Sequence, residues 1–110
     1  ITDAMAAAGA SDGHYELGGL AVTVTAGTAR LDSNGAIAGS TLTQDAALRL
    51  VVRSGLALPS AVASLTSVPA RAIGVAGRYG SLRPGVAADA VLLDADLQVR
   101  HVWVNGAREV

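Results

Sequence analysis

Half of this chain is apolar, yet it has almost nothing large to bury. Its hydrophobic residues are mostly Ala, Val and Leu, with no Phe, one Trp and two Tyr. Aromatic side chains carry the largest buried area per residue. A core without them must be assembled from many small contacts or completed by surface supplied from elsewhere. The 110 residues suffice for one small domain, so the composition points to a part of a larger protein. The first residue is Ile1, not Met, and the expectation is a chain that starts inside a longer reading frame or after a cut.

Charge and motif content exclude several function classes. The net charge is −1, from eight Arg, no Lys and nine acids. The arginines are scattered, whereas a nucleic-acid partner calls for a basic stripe. There is no Cys, so neither a disulfide framework nor a thiolate metal site can form. Apolar stretches are interrupted by Gly, Asp or Arg well short of the ~18 residues a membrane helix needs. The opening residues lack the basic region of a signal peptide. No Walker loop, dinucleotide fingerprint or nucleophile elbow is present.

The patterning divides the chain in three. Ile1 to Asp3 reads as a strand end, followed by a small-residue loop to Gly13. Residues 15–31 alternate with period two and turn at Ala26-Gly27, which predicts a β-hairpin. Asn34-Gly35 marks another tight turn, and Ile37-Ala38-Gly39 leads toward a helix. Thr41 and Gln44 fit a capping box, predicting a helix over 41–54 with Gly55 as its closing glycine. Pro59 suits the first turn of a helix over 59–67. Pro69 opens a third over 69–73, closed by Gly74.

In the tail, Pro84-Gly85 suits a type II turn. Residues 90–94 and 99–104 read as strands, and Asn105-Gly106 is the strongest hairpin signal in the chain, with 108–110 returning. The helices of residues 41–77 have no flanking strands with which to build a βαβ unit. They require a sheet or barrel outside this sequence.

Few residues carry chemistry. Asp3 stands at a strand end before a small-residue loop, the place where parallel β/α barrels keep catalytic groups. A carboxylate there can ligate a metal or act as a general base, or it can simply serve a turn. Gly39-Ser40-Thr41 precedes a helix and can offer N–H groups to a polar ligand, or merely cap the helix. His14 reads as a loop residue and His101 as an exposed strand residue. Neither has a second ligand at metal-binding spacing. Asp89, Asp94 and Asp96 read as turn acids.

Residues 69–74 (PARAIG), 80–85 (GSLRPG) and 88–94 (ADAVLLD) resemble the C-terminal pattern of the metal-dependent amidohydrolase superfamily. Residues 1–5 (ITDAM), taken with 38–43 (AGSTLT) and with Leu17-Gly18-Gly19 between them, resemble more narrowly the N-acetylglucosamine-6-phosphate deacetylase family. The resemblance covers essentially the whole chain.

It implies an α/β fold, the C-terminal fragment of a (β/α)8 hydrolase barrel joined to strands of a small β-sandwich. Residues 1–77 would end the barrel and 78–110 would belong to the sandwich. It implies a parent enzyme that deacetylates an amino-sugar phosphate, is cytoplasmic and homodimeric, and uses a divalent metal, zinc or iron. Asp3 matches the family's catalytic aspartate, the proton shuttle between water and leaving amine. Ala38, Gly39 and Ser40 match the segment that lines the sugar site. The family's metal ligands and phosphate-holding residues have no match here, so the fragment alone is expected to be inactive, to hold no metal and to self-associate. Two readings stand beside this one: another amidohydrolase with the same tail, and a non-enzymatic β-rich packing module.

Overall fold

The glycine pair Gly18-Gly19 turns the chain where only one turn had been expected. In the computed structural model, which describes residues 1–110, the segment read as one hairpin is a three-stranded antiparallel meander. Its strands are β1 (Gly13–Leu17), β2 (Leu20–Thr25) and β3 (Thr28–Leu31). Both glycines have positive φ, 56° and 81°, a region closed to most side chains. They join β1 to β2 in register, with Leu17 opposite Leu20. The strand therefore begins at Gly13, and His14 lies on it rather than in a loop.

Period-two alternation decides what this sheet buries. Val22 and Val24 point inward at 0% and 4% exposure and pack with Met5, Ala7, Ala29 and Ala38. Tyr15 and Leu31 border this cluster. As the composition requires, the core is made of small contacts. After β3 the Asn34-Gly35 turn forms, and the Gly35 N–H donates to the Leu31 carbonyl at 2.8 Å. The chain then runs back along β3. The Ala38 N–H donates to the Ala29 carbonyl at 3.0 Å, and Ile37 bridges Arg30. Residues 37–39 thus extend the sheet instead of entering a helix directly.

The expected capping box does not form. Helix α1 spans Gln44–Arg53, and the Ala47 N–H reaches the Thr43 carbonyl at 2.9 Å, which places the N-cap at Thr43. The Thr41 hydroxyl donates to the Gly27 carbonyl instead, so a distant partner has taken the group that local spacing assigned to a cap. The helix ends as expected. Gly55, at φ 99°, donates to Val52 and Leu56 donates to Val51, the paired bonds of a Schellman motif.

Helix α2 is Leu58–Leu65, with Pro59 in its first turn, and α3 is Ser67–Ala72. The third helix opens two residues before Pro69. Gly74 and Val75 close it on Arg71 and Ala70 by the same paired bonds. Leu48, Ala61 and Ala70 are the buried residues of these helices.

The tail forms a second antiparallel meander, β4 (Ala90–Leu93), β5 (Val99–Val104) and β6 (Ala107–Arg108). Asn105 and Gly106 have φ 50° and 80°, the double positive φ of a type I′ turn. Gly85 has φ 85° and the Val86 N–H points back to the Arg83 carbonyl, consistent with the type II turn read from Pro84-Gly85.

The chain divides into two compact units, 1–47 and 48–110. The architecture is mixed α/β with two small antiparallel sheets and no closed barrel. No helix is long and apolar enough to cross a membrane.

Candidate functional site

Ile1 to Asp3 do not form a strand. The chain end is held by a single parallel bridge between Ala4 and Ser40. The Ser40 N–H donates to the Asp3 carbonyl at 2.8 Å, and the Met5 N–H donates to the Ser40 carbonyl at 2.9 Å. This bridge brings together the two segments that carry the narrower sequence motif, residues 1–5 and 38–43. Asp3 has φ 55°, a conformation that Asp tolerates better than most residues. Its side chain is exposed.

Gly39 is the tightest point of the contact. Its φ is 69°, and a β-carbon there would lie 3.2 Å from the Asp3 carbonyl oxygen and 3.2 Å from the Met5 β-carbon. Glycine is needed both for the dihedral and for the approach of the two backbones. Beside it lies an open depression of about 290 Å³, lined by Gly27, Thr28, Ala29, Ile37, Gly39, Ser40, Thr41 and Leu42. Gly39 and Ser40 are on its wall. Ala38 is not, because its side chain is in the core at 4% exposure. Asp3 adjoins the wall through its backbone but does not line it. The Ser40 hydroxyl accepts the Leu42 N–H at 2.9 Å, which shapes the wall locally.

Asp12, in the small-residue loop that follows Asp3, takes part in this assembly. Its carboxylate accepts the N–H groups of Ala26 and Gly27, fastening the loop after Asp3 to the β2–β3 turn. A side chain that caps a turn 14 residues away leaves no signature in local spacing.

The two histidines have structural partners. The Thr23 hydroxyl donates to Asp32 Oδ1 at 2.7 Å and stands 3.0 Å from His14 Nδ1. With the hydroxyl proton committed to Asp32, that ring nitrogen acts as donor. His101 is half-buried rather than exposed. Its Nδ1 accepts from Arg108 Nη2 at 2.7 Å, and its ring meets Trp103 edge-on at 5.7 Å. No three His, Asp or Glu side chains converge into a set that could hold a metal ion. Asp89 and Asp94 accept backbone N–H groups at turns, from Asn105 and from Asp96 and Gln98.

Residues 8–108 match the model of the amidohydrolase family. The chain is 46% identical over 107 residues to the N-acetylgalactosamine-6-phosphate deacetylase of Escherichia coli O157:H7, covering 96% of this chain and 28% of that protein. The crystal structure of N-acetylglucosamine-6-phosphate deacetylase from Pasteurella multocida superposes with a TM-score of 0.91 at 33% identity, covering 99% of this chain and 29% of that one. The Mycobacterium smegmatis N-acetyl-D-glucosamine-6-phosphate deacetylase D267A mutant, in complex with N-acetyl-D-glucosamine-6-phosphate, superposes at 0.81 with 42% identity, covering 98% and 29%. The chain spans 64% and 28% of the length of two of the curated relatives it matches.

Proposed function

The chain belongs to the amidohydrolase family, and on that premise we propose that it forms the C-terminal part of a deacetylase acting on N-acetylglucosamine 6-phosphate. The products are glucosamine 6-phosphate and acetate. The observation that carries the reading is the Ala4–Ser40 bridge. It ties the backbone of Asp3 to a glycine-tight segment bordering an open depression, in a chain whose relatives carry deacetylase names.

In this reading Asp3 is the acid–base residue. Water adds to the amide carbonyl as the Asp3 carboxylate takes its proton. The carboxyl then gives that proton to the amide nitrogen as the C–N bond breaks, because an amine leaves poorly unless its nitrogen is protonated. Gly39 and Ser40 form part of the sugar wall, with Ala38 supporting them from the core. The divalent metal implied by the resemblance would polarise the carbonyl, but this chain has no donor set for it. Its ligands would lie in the remainder of the enzyme, as would the phosphate-holding groups. The barrel and sandwich assignments of residues 1–77 and 78–110, a homodimeric parent and a cytoplasmic setting belong to the same proposal.

The test is Asp3→Asn in the full-length enzyme. Substrate binding should persist while kcat falls by roughly 10²- to 10⁴-fold. Near-normal kcat would overturn the role of Asp3. A second reading, N-acetylgalactosamine 6-phosphate as substrate, is favoured by the 46% identity to the Escherichia coli relative. Comparing kcat/KM for the two epimers decides between them.

A further inference from the structure

Hydrogen bonds close a ring around the loop that follows Asp3. At one end, Ser40 holds Asp3 and Met5 by the two backbone bonds of the parallel bridge. At the other, Asp12 accepts the N–H groups of Ala26 and Gly27 at the β2–β3 turn. The Thr41 hydroxyl joins the two ends, since it donates to the Gly27 carbonyl and directly follows Ser40 in the chain. Within the ring the loop turns twice, with Ala8 donating to Met5 and Ala10 to Ala7. Met5 and Ala7 are buried beneath it, at 7% and 1% exposure.

The β2–β3 turn is itself held under strain. Ala26 has φ 49°, a region that costs an L residue with a β-carbon. Such a conformation persists where its surroundings over-determine it. Asp12 supplies that constraint from one side and Thr41 from the other.

We infer that Asp12 and Thr41 are positioning residues that set the direction of the Asp3 side chain by fixing both ends of its loop to the segment that carries Ser40. The inference rests on Asp3 being the acid–base residue. Asp12 is not among the residues lining the depression, whereas Thr41 is on its wall; the role assigned to Thr41 here is the bond from its hydroxyl to the Gly27 carbonyl. Both residues act through the loop, so loosening the ring changes how often Asp3 is aimed at the reacting atoms.

The experiment is a double-variant cycle in the full-length enzyme. Alone, Asp12→Ala should lower kcat on N-acetylglucosamine 6-phosphate on the order of 10- to 100-fold, the scale of a displaced catalytic group, with little change in KM. Thr41→Val should do the same, and Thr41→Ser, which keeps the hydroxyl, should restore activity. In an Asp3→Asn background, adding Asp12→Ala should leave the residual rate nearly unchanged, because there is no longer a carboxylate to aim. Equal fold-losses in both backgrounds would show a general folding defect and overturn the inference, as would full activity of Asp12→Ala. If Asp12→Ala does not fold, Thr41→Val carries the same cycle. Normal turnover by Asp3→Asn alone would instead mark the failure of the underlying reading.

Discussion

Gly39 and Met5 meet with no room for a side chain between them: a β-carbon on Gly39 would stand 3.2 Å from that of Met5. Met5 cannot give way easily, because it belongs to the buried cluster with Val22 and Val24. The Gly39 φ of 69° adds a dihedral penalty. Gly39→Ala is therefore expected to destabilise the protein by about 1–3 kcal/mol and to loosen the Ala4–Ser40 bridge. Thermal unfolding reads the first effect, and faster amide exchange at Met5 and Ser40 reads the second. An unchanged melting temperature would contradict the tight approach.

Two glycines of the second unit separate strain from crowding. Gly80 and Gly85 have similar φ, 83° and 85°. A β-carbon on Gly80 would lie 2.7 Å from the Ala70 β-carbon and 2.8 Å from the Thr66 carbonyl oxygen, whereas one on Gly85 meets nothing within 4 Å. Gly85→Ala should cost only the dihedral, about 1–2 kcal/mol. Gly80→Ala should cost measurably more, since backbone and a buried helix residue would have to shift. Urea midpoints of the two variants give the order, and equal midpoints would refute it.

Asp94 sets a pH dependence whose sign follows from its partners. Its carboxyl is held below the usual carboxylate value of 3.8, chiefly by the Gln98 N–H. Desolvation opposes this, and the Asp96 N–H and the Arg100 guanidinium add to it. Arg100 Nη2 stands 2.7 Å from Asp94 Oδ2. A depressed folded pKa means stability that is fully present above the unfolded value and lost as pH falls through the folded one. Asp94→Asn keeps an oxygen for the turn but removes the charge. Its stability deficit should be present at neutral pH, shrink below about pH 4 and fade at lower pH. A deficit independent of pH would remove the electrostatic explanation.

The isolated 110-residue chain should show no deacetylase turnover and no stoichiometric zinc, because no set of side chains here holds a metal. Assays of the purified chain with added zinc test both. Acetate release with one bound zinc per chain would be the contrary result.

The same isolated chain should self-associate. Ile73, Leu82 and Ile37 are 75%, 73% and 69% exposed, and both sheets and helices leave other large apolar groups uncovered. Surfaces of this kind usually find partners. Light scattering coupled to size exclusion measures the mass, and a monomer at all concentrations would count against the expectation.

The local elements of this protein were legible in its residues. Asn105-Gly106, Pro84-Gly85, Gly55 and Gly74 each announce a turn or helix end, and each has the expected positive φ on glycine. These features depend on dihedral freedom and missing N–H groups, which are properties of single residues. The alternation of Val22 and Val24 likewise announced a buried face. The Gly18-Gly19 turn was missed because β1, Gly13–Leu17, contains no β-branched residue and so carries little strand signature of its own.

The sequence alone also set the character of the core, since a chain without Phe and rich in Ala and Val packs mostly small groups, and it singled out Asp3 and the 38–40 segment. What the tertiary structure decided is where polar side chains spend their hydrogen bonds. Thr41 was spaced to cap a helix and instead holds Gly27. Asp12 lies in a small-residue loop with no local signature and fastens a turn 14 residues away. A hydroxyl or carboxylate has several partners of similar strength within reach, so its choice depends on which distant backbone groups the fold brings near and leaves unpaired. That is also why the link from Asp3 to Ser40, two backbone bonds between segments far apart in sequence, became visible only once the sheet between them had formed.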